Sequence, residues 1–140
     1  MNLAEAENLL PNGLHVADLV RYSVDYETRT AEFEFNAWTG DMQAPPGPER
    51  ERHERLILRV KGVYFIAIDP PDARPEYRDR KDLPEVLGFS AWNGKPHVAK
   101  NIEALAASLP QGLFCESGFV RNWNAFLHIA GESAEIEHLK

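Results

Sequence analysis

The sequence contains one cysteine, Cys115, among its 140 residues. A disulfide within the chain needs two thiols, and a structural zinc site needs cysteine and histidine ligands at spacings such as CxxC, which are absent here. We therefore expect no disulfide, no metal and no cofactor. The folded state must depend on an apolar core.

Long apolar runs are also missing. The longest uninterrupted run, 63–68, has six residues, whereas a membrane-spanning helix needs about 20. Residues 1–7 lack the basic and apolar regions of a secretory signal. These absences predict no membrane span and favour a cytoplasmic location.

The chain has no excess of positive charge. Its 15 lysine and arginine residues are outnumbered by 22 aspartate and glutamate residues, which gives a formal charge of −7. Nine of the bases lie within 49–85, where nine acids are interleaved with them. Because a phosphate backbone selects a surface of one sign, we expect neither a nucleic-acid partner nor an anionic membrane partner.

Motifs that mark common catalytic or nucleotide sites are absent as well. The sequence contains no GxGxxG, no P-loop, no GxSxG and no HExxH. Dinucleotide enzymes, P-loop nucleotide hydrolases, nucleophile-elbow hydrolases and zincins are therefore not indicated. The absence of a coherent catalytic set favours a protein that is not an enzyme.

The residues that are present are typical of one globular domain. Apolar residues make up 44% and charged residues 26%, and seven Phe, four Tyr and three Trp are spread along the chain. A disordered chain would be poor in such side chains. Because single domains commonly have about 100–150 residues, we predict one domain over residues 1–140.

Two-residue periodicity dominates the first half of the chain. Apolar and polar residues alternate over 18–26 and again over 31–37, with a short polar turn between them, which predicts an antiparallel hairpin. A third alternating run, 56–61, leads through Gly62 into the apolar run 63–68. We predict one long strand that bends at Gly62 or two strands that meet there. The second half is expected to be central, since both of its faces are apolar.

The second half of the chain adds strand-like segments and one helical segment. Residues 86–92, 113–120 and 125–130 have the composition of strands. Near residues 98–109 the period becomes helical, and five apolar residues form one stripe: Val98, Ile102, Leu105, Ala106 and Leu109. Asn2 and Glu5 have the spacing of a capping box ahead of a short N-terminal helix.

These patterns together predict a mainly β fold of the α+β type. We expect an antiparallel sheet or curved sandwich of six to seven strands, with one packed helix near residues 98–109. A doubly wound parallel sheet fits poorly, because it needs a helix after nearly every strand. Two proline-rich loops separate the strands.

Two segments share the pattern F-[N/S]-A-W-[T/N]-G, at residues 35–40 and 89–94. In each copy the tryptophan, Trp38 or Trp92, is out of phase with the preceding Phe and Ala, so it points to the opposite face of the strand. Trp123 lies in the turn that joins the last two predicted strands. The three tryptophans either cover strand ends beneath the proline-rich loops or form a contact surface, and they are our candidate binding residues.

Histidines supply the candidates for acid–base chemistry. His15 and Asp18 have the HxxD spacing of a base held by a carboxylate, although residues three apart on an extended strand point to opposite faces. His128 lies on a strand that is apolar on both faces, which favours a partly buried imidazole with its hydrogen bonds satisfied over a ligand. Cys115, His128 and an acid would form a nucleophilic triad, but no local motif supports one.

The second proline-rich loop contains oxygen groups of the type that bind divalent cations. They belong to Asp69, Asp72 and the acids of 76–85. No part of this loop has the 1-3-5-12 spacing of a calcium site, and its arginine and lysine residues compete for the carboxylates. A solvated loop without a metal is the simpler interpretation.

The terminal segments resemble those of a known group of proteins. Residues 13–19, GLHVADL, and the later stretch 59–63 are similar to a diffuse group of small, uncharacterised bacterial β-domains that begin with G-x-H-D-A-x-L. Residues 123–130 are similar to their last strand, and Val16 stands where their motif has Asp. Some members resemble immunity proteins of polymorphic-toxin systems, which bind and block a cognate toxin. The resemblance implies a binding role and no reaction, and no site residue is carried over.

The leading hypothesis is a non-enzymatic bacterial β-domain that binds a protein partner, as a toxin-neutralising, immunity-like protein. Its acidity would steer a basic partner. Two alternatives stay open: a small hydrolase or isomerase with His15, Asp18 or His128 in a cleft, and a small-molecule binding module. The binding hypothesis predicts at least two of the tryptophans partly exposed on one surface. The enzyme hypothesis predicts His15 bonded to an acid in a pocket.

Overall fold

Eight strands and two short helices are present in the computed structural model, which describes residues 1–73 and 88–139. The helices are α1 (Leu3–Glu7) and α2 (Lys100–Leu105), and a 3₁₀ turn (Ala106–Ser108) continues α2. The strands in chain order are β1 (Asp18–Asp25), β2 (Thr30–Trp38), β3 (His53–Lys61), β4 (Phe65–Ile68), β5 (Ser90–Ala91), β6 (Phe114–Val120), β7 (Ala125–Gly131) and β8 (Ser133–His138).

The strands form two four-stranded sheets, and every neighbouring pair is antiparallel. The order is β1-β2-β3-β8 in the first sheet and β4-β7-β6-β5 in the second. The predicted mainly β, antiparallel fold is confirmed, with eight strands in the described residues where six or seven were predicted. Of the predicted strand 86–92, only Ser90–Ala91 is a strand, and residues 86–87 lie outside the described residues.

The first sheet has one apolar face, as its alternating sequence predicts. Phe33 of β2 and Leu58 of β3 are opposite each other and fully buried, while the intervening Glu32 and Glu34 face outward. Burial of each large apolar side chain contributes about 1.5–3 kcal/mol to folding. The predicted β1–β2 hairpin is confirmed, and Tyr22 of β1 stacks on Phe33 with 5.4 Å between ring centroids.

Gly62 is where the chain passes from the first sheet to the second. Its φ of 66° lies in the left-handed region, and a side chain there would meet that of Glu132. The structure therefore has two strands meeting at Gly62, one of the two predicted alternatives. The expectation that the second strand is central is wrong, since β4 is an edge strand and only partly buried. Both faces of β4 are apolar because the second sheet is covered by other parts of the protein on both of its sides.

The main core lies between the two sheets. The first sheet contributes Phe33 and Phe35, the second contributes Leu127 and Ile129, and each of these side chains is at most 2% exposed. Because the inner faces of both sheets are apolar, stacking them removes both from water at once. The core therefore sits in the middle of a sandwich.

Helix α1 closes one end of this core. It begins with the predicted capping box, in which Asn2 Oδ1 accepts the Glu5 N–H at 2.8 Å and Glu5 Oε1 accepts the Asn2 N–H at 3.2 Å. The buried carboxylate of Glu116 in β6 accepts the Leu3 N–H at 2.7 Å. Burial raises the pKa of Glu116, so this anchor carries an electrostatic cost.

The outer face of the second sheet is covered by the segment that contains α2. Val98 is buried there, and Ile102, Leu105 and Leu109 are partly buried against the same cluster, as the predicted stripe requires. Ala106, the fifth residue of the predicted stripe, is exposed. The helix is shorter than predicted, because α2 has no side-chain hydrogen bond at its N-cap and tightens into a 3₁₀ turn. Neither helix in the described ranges has the length and apolar character needed to cross a bilayer.

Candidate functional site

A serine, a histidine and an aspartate form a chain of polar contacts on the outer face of the second sheet. Ser117 of β6 and His128 of β7 are directly opposite each other, and Ser117 Oγ lies 2.5 Å from His128 Nδ1. His128 Nε2 lies 3.0 Å from Oδ2 of Asp69, which follows β4. This order of groups resembles the relay of a serine hydrolase.

The contacts of His128 assign its tautomer. A neutral imidazole has one donor and one acceptor nitrogen, so the Ser117 hydroxyl donates to Nδ1 and the proton on Nε2 faces Asp69. The carboxylate lies off the direction of the Nε2–H bond, so this contact is an electrostatic attraction rather than an aligned hydrogen bond. Asp69 therefore holds His128 more loosely than Ser117 does.

Ser117 and His128 are closed to solvent, with 0% of either residue exposed. A substrate cannot reach the hydroxyl unless the covering segment moves away. A buried polar pair that satisfies its own hydrogen bond is the usual structural solution in a core. The sequence favoured a partly buried imidazole with its hydrogen bonds satisfied. His128 is instead fully buried, and of its two ring nitrogens only Nδ1 has a hydrogen-bond partner among the described residues.

Cys115 does not take the place of the serine in this network. It stands opposite Ala130, two register pairs away from His128 and with its side chain on the same face. Burial raises the pKa of the Cys115 thiol, which keeps the thiol protonated near neutral pH. The triad of Cys115 and His128 considered from the sequence is therefore not formed.

Other buried polar atoms lie near this network. His97 stacks on Phe126 with ring centroids 4.2 Å apart, and burial, followed by the nearby His128 and Lys95, lowers the pKa of His97. Nδ1 of His97 and Nε1 of Trp92 have no hydrogen-bond partner among the described residues. Each such atom lowers the free energy of unfolding by about 1–3 kcal/mol, so the buried polar atoms of this layer reduce the stability of the protein.

His15 and Asp18 do not form the predicted pair. Asp18 lies 3.9 Å from Nε of Arg121, while His15 is exposed and has no hydrogen bond or ion pair with any described residue. The two residues are separated by a turn in which the Ala17 N–H bonds to the Leu14 carbonyl. The enzyme hypothesis expected His15 bonded to an acid, and the described residues do not show this contact.

The predicted cation ligands in the second proline-rich loop are only partly described, since residues 76–85 lie outside the described ranges. Among the residues that are described, no group of three or more His, Cys, Asp and Glu side chains is placed to hold a metal ion. Asp69 instead approaches His128, and its backbone carbonyl accepts a hydrogen bond from Trp123.

The three candidate tryptophans occupy three different environments. Trp38 is partly buried at the end of β2, and its Nε1 donates to the Arg50 carbonyl of the covering loop at 2.5 Å. Trp92 is 2% exposed and belongs to the cluster beneath α2. Trp123 is 44% exposed, with its Nε1 bonded to the carbonyl of Asp69. Trp123 is therefore the one that presents a largely open ring.

β1 is an edge strand, and within the described residues no strand pairs with its outer side. Residues of an antiparallel ladder alternately point their backbone groups towards and away from the partner strand. Leu19 points away from β2, because Asn122 binds both its N–H and its carbonyl at 2.8 Å. The bulge between Leu19 and Arg21 shifts the alternation by one residue, so Tyr22 and Val24 point their N–H and C=O groups outward.

Exposed apolar side chains surround this open edge. Tyr26 is 87% exposed, Tyr22 46% and Val20 36%. Trp123 adjoins the start of β1, because the preceding residue, Asn122, is bonded to Leu19. We define the β1 edge surface as the following five residues: Val20, Tyr22, Val24, Tyr26 and Trp123.

The outer face of the first sheet, by contrast, consists of charges that compensate each other. Arg59 contacts Glu32 and Glu137 at 2.7 Å and Glu135 at 3.2 Å. The hydrogen bonds that Arg59 donates to Glu137, Glu32 and Glu135 raise its pKa further above the usual value. Since its charges are already paired, this face offers little to an incoming charged partner.

The alternative of small-molecule binding depends on the open grooves of the molecule. One groove, of about 740 Å³, lies between β6 and the segment 106–113 and is lined by Trp92 and Cys115, among others. A second groove of about 740 Å³ lies beside Thr39 and Arg52. Both volumes fall within the usual range for ligand sites, about 300–1,000 Å³.

Sequence reasoning missed Ser117 and the strand residues of the β1 edge surface, whereas Trp123 was already a candidate binding residue. Ser117 lies in an apolar strand, and its contact with His128 depends on the β6–β7 register, which no local motif specifies. The signal for the edge was present, since β1 carries Arg21, Ser23 and Asp25 together with Tyr22, and Tyr26 follows the strand. Comparisons with protein-family models, curated proteins and solved structures found no match to this chain.

Proposed function

We propose that this protein binds a protein partner through the β1 edge surface and catalyses no reaction. The observation that carries the proposal is the open outer edge of β1 at Tyr22 and Val24. An extended segment of a partner can add to such an edge through backbone hydrogen bonds, and exposed aromatic side chains then anchor it. Of the three candidate tryptophans, we include Trp123 in this surface.

We further propose that the partner is a toxin that this protein neutralises in the bacterial cytoplasm. The support is the resemblance of residues 13–19 and 123–130 to immunity-like domains. These two segments adjoin the same place, where Leu19 is bonded to Asn122. The net charge of −7 favours a basic partner, and a single cysteine suits a reducing compartment.

Affinity capture from extracts of the cells that naturally produce the protein tests the surface. Val24→Pro removes an outward N–H that β2 does not use, and Tyr26→Ser removes the most exposed aromatic ring among the described residues. We expect each variant to capture about tenfold less partner than the wild type. Leu9→Ser is the matched control, because Leu9 is 66% exposed but lies outside the surface.

Two results would contradict the proposal. One is a partner that binds Val24→Pro as well as the wild type, and the other is a partner lost only with Leu9→Ser. If the captured protein arrests cell growth, co-expression of the wild type should restore growth and Val24→Pro should not. A captured protein without toxicity would retain the binding proposal and reject toxin neutralisation.

A serine hydrolase is the second candidate, favoured by the contacts among Ser117, His128 and Asp69. Its Ser117 Oγ would attack an acyl or phosphonyl centre while His128 Nδ1 takes the hydroxyl proton, and the bond from that centre to its leaving group would break to give an acyl- or phosphonyl-serine and the released group. The complete burial of Ser117 and His128 argues against this reaction. Treatment with a fluorophosphonate distinguishes the candidates: we expect no labelling, whereas labelling that disappears in Ser117→Ala would support the hydrolase.

A further inference from the structure

We propose that a second copy of this chain pairs with the outer edge of β1, which joins the two first sheets into one continuous eight-stranded antiparallel sheet. The inference rests on the proposed function, because it names an occupant for the same β1 edge surface. A two-fold symmetric contact of this kind must be self-complementary in backbone hydrogen bonds, in charge and in shape.

The backbone alternation limits the possible registers. Hydrogen-bonded pairs form only between residues whose backbone groups point outward on both strands. Tyr22 and Val24 are such residues in β1, so a two-fold axis at Ser23 places Tyr22 of one copy opposite Val24 of the second copy. Symmetry repeats this pair, and four backbone hydrogen bonds result.

The same register matches charges. It places Arg21 opposite Asp25 of the second copy, and both residues lie on the outer face of the sheet. The Arg21 side chain is 72% exposed, so it can reach a second carboxylate. Its present contact with Glu34 has a length of 3.4 Å. Asp25 uses Oδ1 to accept two N–H groups of its own turn, which leaves Oδ2 for Arg21. Opposite charges across strands contribute about 0.2–1 kcal/mol per pair.

Asn122 limits where the second strand can lie, because it occupies the outer edge of β1 at Leu19. A register centred on Tyr22 would run the second strand across Asn122 and pair Arg21 with Ser23. The register centred on Ser23 instead places Tyr26 of the second copy opposite Val20, next to the turn that holds Trp123. These exposed apolar side chains then cover one another.

The contact is small. One strand edge and two apolar ends bury less than the roughly 1,200–2,000 Å² that stable interfaces remove from solvent. We therefore expect a dimer that forms only at micromolar or higher concentrations and that a tighter protein partner displaces.

Analytical ultracentrifugation of the full chain over a concentration series tests the dimer. We expect the weight-average mass to rise from monomer towards dimer for the wild type and for Leu9→Ser, and to stay at monomer for Val24→Pro. Arg21→Glu and Asp25→Lys should each weaken dimerisation about three- to tenfold, and the double variant should restore it. Circular dichroism confirms that each variant is folded.

A wild type that stays monomeric up to millimolar concentration would overturn the inference, as would a dimer that Val24→Pro leaves intact. Single charge variants without effect, or a double variant that is not restored, would overturn the register. The proposed function fails separately. A monomer that captures a partner through Val24 rejects only the second copy, whereas a Val24-dependent dimer that captures nothing else rejects only the partner protein.

Discussion

The two sheets share one core but differ in what covers their remaining sides. Every residue of β7 in the second sheet is buried, whereas five of the eight residues of β1 in the first sheet are exposed. The closed sheet contains the Ser117–His128 pair, which resembles a reactive site but is sealed from substrate. The open edge has no catalytic group, yet it offers backbone and aromatic groups to a partner. Access, more than residue type, therefore decides where this molecule can act.

The largest expected contrast is between two tryptophans. Trp92→Ala should destabilise the protein by about 3–5 kcal/mol, because it empties a buried site in the closed sheet. Trp123→Ala should cost less than about 1 kcal/mol, since that ring is 44% exposed. Urea unfolding followed by circular dichroism measures both. Equal losses would remove the distinction between the two regions.

Proline substitutions sharpen the comparison within β1 itself. Ser23→Pro should cost about 3 kcal/mol or more, because the Ser23 N–H points to β2 and its loss breaks the ladder. Val24→Pro should cost clearly less than Ser23→Pro, because the Val24 N–H points outward and the loss is limited to the partial packing of the Val24 side chain on the core. Thermal unfolding of the pair tests the assignment, and the reverse order would show that the bulge does not shift the alternation.

The closed sheet predicts an intermediate effect at Ser117. Ser117→Ala should destabilise by about 1–3 kcal/mol, because Nδ1 of the buried His128 loses its hydrogen bond. Ser90→Ala is the matched control, since Ser90 stands opposite Ser117 in β5 but is partly exposed. Chemical unfolding of both variants should separate them. A loss at Ser90 as large as that at Ser117 would mean that the hydrogen bond contributes little.

Glu116 gives the closed sheet a pH dependence. Burial raises the pKa of Glu116 above its ordinary value of 4.5, so the folded protein holds this proton more tightly than the unfolded chain. The contribution of protonated Glu116 to the free energy of unfolding is fully present below pH 4.5. It is lost as the pH rises through the pKa of Glu116 in the folded protein. The stability of Glu116→Gln relative to wild type should therefore increase from about pH 4 to pH 7. A difference that stays constant over this pH range would contradict the assignment.

The smallest effect is expected on the charged outer face of the first sheet. Arg59→Met should cost less than about 1 kcal/mol, because the three partner carboxylates are largely hydrated. The cost should also fall when salt screens the charges. Unfolding at low and high ionic strength checks both statements. A large loss that salt does not change would mean that Arg59 acts by packing.

The first sheet could be predicted because its polarity alternates. The alternating run that contains Phe33 and Phe35 predicted one face of β2 in the core and the other in water. Gly62 indicated that the chain breaks after β3. The second sheet is apolar on both faces, so alternation could not tell an edge strand from a central one. That ambiguity produced the wrong position for β4.

The candidate site was harder to predict than the fold. The sequence correctly indicated that Trp92 points to the opposite face of its strand from Phe89. That face is buried beneath α2, and which element covers a strand depends on the tertiary structure. The contact between Ser117 and His128 depends on how two strands register, and the open edge of β1 depends on strand order. Neither is encoded by a local spacing of residue types.

Amide hydrogen exchange within β1 tests the central claim most directly, that its outer edge is unpaired and open to a partner. In dilute protein, the amides of Tyr22 and Val24 should exchange rapidly, while those of Ser23 and Asp25, bonded to β2, should exchange slowly. Adding a partner or raising the protein concentration should slow amide exchange at Tyr22 and Val24 but not at Ser23 and Asp25. Equally slow exchange at all four amides in the most dilute sample would contradict the account.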